Sequence, residues 1–395
     1  MFFISFLQKS WYDNNWIVNL QVLTNKLYVK PIIIRTKMQS NEKKSKGQKI
    51  FIGIDVHKKN WDVAIAPEIG LVKRHPQKAS AKELFDFLKK HYPDCEYLAV
   101  YESGFTGFST YYALKEVGID CIVIHAADVP TTQYEELMKS DKIDSVKLVR
   151  SLKAGLLKGI YIRTGENIDD RSVVRIRRSI QKDLSAYKSR VKHLLHNNGV
   201  EMPERFEKSG THWSREFIKW LKDEVTLLSS TRNSLDLLIR QVETVRSNLL
   251  NATRMLRNLS NSERYKHNCE LLTTIPGIGP IIAMCILTEV FDVSRFHNER
   301  QFAAYLGLIP TSHSSGEKIA HGEMTFRGNK ELGPMMVEAS WIAITQDIGL
   351  GALYQRYKDR MKPQLAIVRI ARKLSNIIYT ILKKQVAYAP YQLGK

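Results

Sequence analysis

The stretch Lys49-Ile-Phe-Ile-Gly-Ile-Asp-Val-His-Lys58 constrains the fold more than any other. Isoleucine and phenylalanine at this density are the composition of a strand covered on both faces. A carboxylate at the end of such a run, Asp55, costs free energy unless something positive meets it. A metal ion or a ligand is the simplest account. From there to residue 127 the pattern alternates strand and helix. Trp61–Ala66 alternates at period two and predicts the second arm of a hairpin. Ser80–His91, with Leu84, Phe85, Phe87 and Leu88, predicts an amphipathic helix capped by Ser80, Glu83 lying three residues on. Glu96–Tyr101 predicts another buried strand ending on Glu102, Phe108–Val117 a helix, and Asp120–His125 a further strand. That order predicts a mixed sheet with helices against it.

Glu135–Leu157 reads as a helix carrying Lys139-Ser-Asp-Lys-Ile-Asp144. Asp141 and Asp144 are three apart and share one helix face, an arrangement also common on a plain solvated surface. Over 166–265 the texture becomes helical. Arg171, Arg175, Arg177 and Arg178 open a long stretch with Ile176, Ile180, Leu184, Tyr187, Val191 and Leu194 along one side. Leu235, Leu238, Val242, Val245, Leu249, Ala252, Leu256 and Leu259 then alternate spacings of 3 and 4, the seam of a coiled coil within the chain or between chains. Past Cys269, Ile275-Pro-Gly-Ile-Gly-Pro280 sits between two helices and resembles a helix-hairpin-helix element. Backbone amides around Gly277 and Gly279 could meet a phosphate there, or the motif is a tight turn. Pro310–Lys318 reads as a hydroxyl-rich loop and Thr325–Lys330 as a basic turn. Helices are predicted near Gln301–Leu308, Leu332–Ile344 and Leu365–Lys384.

Composition narrows the partner. Sixty Lys+Arg against 40 Asp+Glu leave a formal charge of +20, which favours a polyanion, nucleic acid first. Lys58, Arg171, Arg175, Arg178, Arg327, Asn329, Lys330 and Lys373, with Gly277 and Gly279, are the candidate nucleic-acid contacts. Four cysteines far apart and without C-x-x-C spacing argue against a zinc ribbon or a disulfide scaffold and fit a reducing compartment. No run reaches the roughly 18 apolar residues of a membrane span. The start of the chain, Met1-Phe-Phe-Ile, lacks a basic leader and does not read as a signal peptide. Residues 1–48 are expected to be an extension outside the core fold, with Met38 a plausible shorter start; an extra element packed on the domain is the alternative.

Asp55, Glu102, Asp141 and Asp144 are two strand-end carboxylates and one helical pair. In a ribonuclease H-like layout the first strand is central, a later one runs beside it, and a following helix can bring its carboxylates to the same point. Four carboxylates gathered there need cations, and hard oxygen ligands select Mg²⁺ or Mn²⁺. Two such ions would suit cleavage of a phosphodiester.

Seven motifs in order carry a family resemblance: Gly53-Ile-Asp-Val-His-Lys58, Tyr101-Glu-Ser-Gly104, Lys139–Asp144, Ile275–Pro280, Gly307-Leu-Ile-Pro310, Ser314-Ser-Gly316 and Arg327-Gly-Asn329. The chain resembles the DEDD-type insertion-sequence transposases, bridge-RNA-guided recombinases with a RuvC-like domain and a serine-bearing C-terminal domain. The resemblance implies a RuvC-like catalytic domain at 49–165, a helical coiled-coil region at 166–265 and a mostly helical serine transposase domain at 266–395. It implies that Asp55, Glu102, Asp141 and Asp144 hold metal and that a serine forms a covalent link to DNA. Ser315 matches best, with Ser314 and Ser312 close by. It further implies a structured guide RNA, a homodimer or tetramer sharing active sites, and a bacterial cytoplasmic, nucleoid-associated location. Three other readings stay open. One is a metal-dependent nuclease or junction resolvase using water, and another a non-catalytic nucleic-acid-binding assembly protein. The third, a sugar-kinase-like ATPase, lacks the glycine expected soon after the Asp, where His57 and Lys58 stand.

Overall fold

A computed structural model describes residues 47–131, 141–315, 318–324 and 328–390, with the backbone alone at 141–142 and 311–324. Two compact units divide at Ile162 and Arg163. The expected extension, the helix start at 135–140, and Gly316 and Arg327 lie outside the described residues.

In the first unit, strands β1 (Lys49–Val56), β2 (Asn60–Pro67), β3 (Lys73–Arg74), β5 (Glu96–Glu102) and β6 (Asp120–Ile124) form one sheet ordered β3-β2-β1-β5-β6, with β4 (Gln77–Lys78) paired to β2. β1 runs antiparallel to β2 and parallel to β5, which is parallel to β6. The first strand is central with a later one beside it, consistent with a ribonuclease H-like sheet. Strand alternation sorts the side chains onto two covered faces. Ile50, Ile52, Ile54, Val63, Ile65, Ala99 and Tyr101 pack with Leu84 and Leu88 of α1 (Ala81–His91) and Leu114 of α2 (Ser109–Glu116). Each fully buried isoleucine stabilises the sheet by ~1.5–3 kcal/mol. On the other face, Phe51, Ala64, Ala66, Leu98, Val100, Ile122 and Ile124 pack with Leu148, Val149 and Leu152 of α3 (Asp141–Lys153). Ser80 caps α1 as expected, its Oγ accepting from the Glu83 amide at 3.2 Å.

The second unit is mostly helical. α4 (Gly165–Asn197) and α6 (Ser229–Ser260) pack along each other in opposite directions. Val174 and Leu256 share one cluster, while Val191 and Leu195 share another with Leu235 and Ile239. The seam of α6 therefore faces its own chain, helped by Phe206 and by Phe217 and Trp220 of α5 (Arg215–Asp223). Ile239, off the expected seam, is buried where Leu238 is only partly so. The core around Val174 and Leu256 runs on into α7 (Lys266–Thr273), α8 (Pro280–Val290), α9 (Glu299–Tyr305), α10 (Leu332–Gln346) and α12 (Pro363–Lys384). Packing thus continues across residue 265, where a separate domain was expected to begin. α11 (Ile348–Lys358) packs on α10 and α12.

The stretch read as a hydroxyl-rich loop is instead a hairpin of β7 (Pro310–Ser315) and β8 (Lys318–Met324). The unbroken polar run Thr311–Ser315 has no apolar alternation and so concealed β7. Ser315 pairs with Lys318, leaving only residues 316 and 317, Gly-Glu, between the strands. A two-residue connection beginning with glycine is a hairpin signal in its own right. Among the described residues no helix is long and apolar enough to cross a membrane.

Candidate active site

Register builds the acidic end of the sheet. Ile54 pairs with Tyr101, which sets Asp55 level with Glu102 at the ends of two parallel strands. Both lie on the face that α3 covers. Gly53 explains how close α3 comes: a Cβ there would stand 2.3 Å from the Ser145 carbonyl oxygen and 2.6 Å from the Val149 nitrogen. Only a glycine lets the helix lie directly on β1, and the helix carries Asp144 toward the two strand ends.

The side chains interact electrostatically. Burial pushes the Glu102 carboxyl up from its ordinary range; Asp144 and Asp55 add to this, while Lys147 and His125 oppose it. Lys147 Nζ lies 3.2 Å from Asp144 Oδ1, and its side chain is only 12% exposed. His57 Nε2 lies 3.1 Å from Asp55 Oδ2. Asp55, at 23% side-chain exposure, is half-buried at the strand's end rather than enclosed within it. Among the described residues no three His, Cys, Asp or Glu side chains converge closely enough to hold an ion. Asp141 begins α3, and its side chain is not among those described. In chemistry the set fits a hard divalent cation. Asp55, Glu102 and Asp144 are oxygen donors, the first and last of which raise the cost of ionising Glu102, and a cation would relieve it.

The serine hairpin is anchored at its base. Gly307 takes φ +74°, and a Cβ on Gly328 would lie 2.1 Å from the Gly307 Cα, so the backbones entering and leaving the hairpin touch. The Asn329 amide donates to the Tyr305 carbonyl at 2.6 Å. Asn329 Oδ1 accepts from the amides of Glu331 (2.9 Å) and Leu332 (3.1 Å), capping α10, and its Nδ2 donates to Glu289 Oε2 at 3.1 Å. Glu289 is a hub with a 2% exposed side chain, met by Arg171 Nη2 at 2.9 Å, Arg175 Nε at 3.0 Å and Arg163 Nη2 at 3.7 Å. Burial pushes its carboxyl up, but Arg171 and Arg175 outweigh burial and the net direction is down.

Several of the candidate phosphate contacts have partners within the fold. Arg171 and Arg175 face Glu289, Arg178 pairs with Glu331, and Asn329 is a cap and a hub ligand. A helix face presents arginines identically to a phosphate or to a carboxylate of its own fold, so spacing could not tell them apart. Gly277 takes φ +85°, and a Cβ there would meet the Ala339 carbonyl oxygen at 2.2 Å, so the close approach of α10 by itself requires a glycine. Gly279 is exposed and precedes α8, with open space where a Cβ would stand. Lys58 and Lys330 are exposed, and Lys373 lines a cleft with Asn376, Thr380 and Tyr388. Sequence reading passed over Lys147, His125 and Glu289. For Glu289 a signal existed: it is the lone charge in the run Ile281–Val290.

Residues 52–198 match the family model for a DEDD transposase of the IS110 type, and residues 269–355 match the transposase IS116/IS110/IS902 family. A protein of Sinorhizobium fredii named as a transposase (y4qE) is 26% identical over 74% of this chain and 71% of its own length. The transposase for insertion sequence element IS1533 of Leptospira borgpetersenii is 26% identical over 64% of this chain and 73% of its own. The pilin gene-inverting protein of Moraxella bovis is 33% identical over 30% of this chain and 38% of its own. A mixed sheet with an acidic end, followed in the chain by a helical unit, is the plan of a DEDD-type transposase. The chain belongs to the IS110 family of insertion-sequence transposases.

Proposed function

We propose that this transposase cuts and rejoins DNA through a covalent serine intermediate, with Ser315 as the nucleophile and Asp55, Glu102, Asp141 and Asp144 as the holders of Mg²⁺ or Mn²⁺. The observation that carries the metal reading is the raised Glu102 carboxyl, which feels both Asp55 and Asp144. When bound, the cation would stabilise charge on the phosphoryl oxygens. The Ser315 hydroxyl oxygen attacks phosphorus and gives up its proton, the bond from phosphorus to one deoxyribose oxygen breaks, and that leaving oxygen takes up a proton to become a hydroxyl. The phosphoserine ester keeps the energy of the phosphodiester, so a deoxyribose hydroxyl can reverse the step on a new strand without ATP. Lys58, Lys330, Lys373 and the amides at Gly279 supply phosphate contacts. The inverting activity in the name of the Moraxella relative is in keeping with recombination rather than plain cleavage.

We further propose that a structured RNA chooses the DNA and that two or four copies share sites, Asp55 and Ser315 acting from different chains. The support here is the family resemblance. A denaturing gel tests the chemistry. Labelled DNA should stay attached to wild type and to Ser314→Ala but not to Ser315→Ala. Free cut ends from wild type and Ser315→Ala alike would make water the nucleophile. RNA that co-purifies with the protein and maps beside its gene supports guidance; inverted repeats with target duplications at the element's ends count against it.

A further inference from the structure

One acidic residue on the α3 face of the sheet is absent from the set above. Asp62 of β2 stands directly opposite Asp55 in the antiparallel ladder. Its side chain is 13% exposed and both oxygens are engaged. Oδ1 accepts from Ser145 Oγ at 2.8 Å and from Arg74 Nε at 3.3 Å, and Oδ2 is ion-paired with Arg74 Nη2. Such a carboxylate is occupied by donors and does not offer itself as a ligand. Ser145 is fully buried and follows Asp144 in the chain. It touches the sheet twice, its carbonyl oxygen lying over Gly53 of β1 and its hydroxyl on Asp62 of β2. Two turns further on, Lys153 Nζ donates to the Pro67 carbonyl at 2.9 Å at the far end of the same strand.

We propose that Asp62, with Ser145 and Arg74, is a positioning device that fixes the rotation of α3 about its axis and thereby sets Asp144 against Asp55 and Glu102. This rests on the metal reading of that site. A helical side chain ends ~5–6 Å from the axis, so a 20° roll moves the Asp144 carboxylate by about 2 Å. Oxygen–metal bonds tolerate a few tenths of an ångström. Contact with Gly53 alone limits how near the helix comes, and a hydrogen bond to the neighbouring strand limits how it turns.

The test is a Mn²⁺ titration of the full chain without DNA, followed by electron paramagnetic resonance, on wild type, Asp55→Asn, Ser145→Ala, Asp62→Ala and the Ser145→Ala/Asp62→Ala pair. Thermal unfolding is recorded alongside. Each single change at 145 or 62 should weaken Mn²⁺ binding about tenfold. The pair should be no weaker than the worse single, because the serine donor and the carboxylate acceptor make one hydrogen bond and either change removes it. Wild-type affinity in the singles, or a loss in the pair that multiplies to about a hundredfold, overturns the positioning role. So does a lowered unfolding temperature with unchanged Mn²⁺ affinity. Should one single variant fail to fold, the other decides alone. If Asp55→Asn binds as wild type does, the metal reading itself falls. If Asp55→Asn loses the ion and Asp62→Ala does not, only the positioning role falls.

Discussion

Glu289→Gln is the most informative single change in the helical unit, because it preserves shape and removes only charge. Arg171 and Arg175 stand 2.9 and 3.0 Å from the carboxylate. At an effective dielectric constant near 20 each such contact is worth about 5 kcal/mol of attraction. Arg175 is 52% exposed, so water screens its share, and desolvating the carboxylate offsets several kcal/mol more. Removing one partner of a buried pair nevertheless leaves uncompensated charge, and that costs about 3–5 kcal/mol. In a unit as large as Arg163–Lys395 this should lower the unfolding temperature by about 10 °C, read by calorimetry. The sign of the pH dependence follows from the depressed Glu289 carboxyl. A group held below its unfolded value contributes stability that is present above the ordinary carboxylate range and lost as pH falls through the folded value. The gap between wild type and Glu289→Gln should therefore close as pH drops below that range. A Glu289→Gln transition within about 2 °C of wild type, or a gap of constant size at all pH values, would refute the hub.

Gly53→Ala places a Cβ 2.3 Å from the Ser145 carbonyl oxygen, so α3 must lift; about 1–3 kcal/mol of stability should go, and Mn²⁺ affinity with it. Unfolding and titration both unchanged would show that the helix does not rest there. Gly277→Ala combines φ +85° with a 2.2 Å approach to the Ala339 carbonyl oxygen and should cost at least about 1–3 kcal/mol. DNA affinity per folded molecule should hold, and a selective loss of that affinity would restore the phosphate role. Glu102, raised by burial and its acidic neighbours, carries the opposite sign to Glu289. Its ionisation costs stability, a penalty absent below the unfolded value and complete above the folded one. On the proposed metal reading Mg²⁺ would relieve that penalty, so it should raise the unfolding temperature more at pH 7 than near pH 4.5; equal shifts would remove Glu102 from the site.

The sheet was legible because its signals are local. Ile50, Ile52 and Ile54 are buried against α1 and α2 as their alternation requires, and the Ser80 cap is the one its spacing predicts. The acidic end was legible through a chemical argument: a carboxylate terminating an apolar strand needs a reason, and Asp55 and Glu102 each supply one. The β7–β8 hairpin escaped because Pro310-Thr-Ser-His-Ser-Ser315 has no apolar period, although the Gly-Glu pair after it was a turn signal. Asp62 and Ser145 escaped for another reason. Neither is unusual in its own segment, and they meet only when a helix 83 positions away folds onto the hairpin.

The arginines of α4 show how a charge surplus can be legible in sum while the local partners of each charge are not. Arg171, Arg175 and Arg178 were expected to face a polyanion, and their hydrogen bonds go instead to Glu289 and Glu331. That does not remove them from the electrostatics. Three guanidiniums around Glu289 leave two positive charges in that group, and a surplus of +20 must express itself somewhere on the chain. If those ion pairs persist when DNA binds, the charges would act on it through the field rather than through contact, over a range of ~8–10 Å in physiological salt. Lys58 and Lys330 are exposed, and a lysine that meets phosphate directly would act by counterion exchange. The two roles separate in a salt titration of DNA binding. Lys330→Ala should flatten the slope by about one unit. Arg175→Ala should lower stability through Glu289 and leave the slope nearly as it was. A full-unit change in slope from Arg175→Ala would return that arginine to the phosphate backbone.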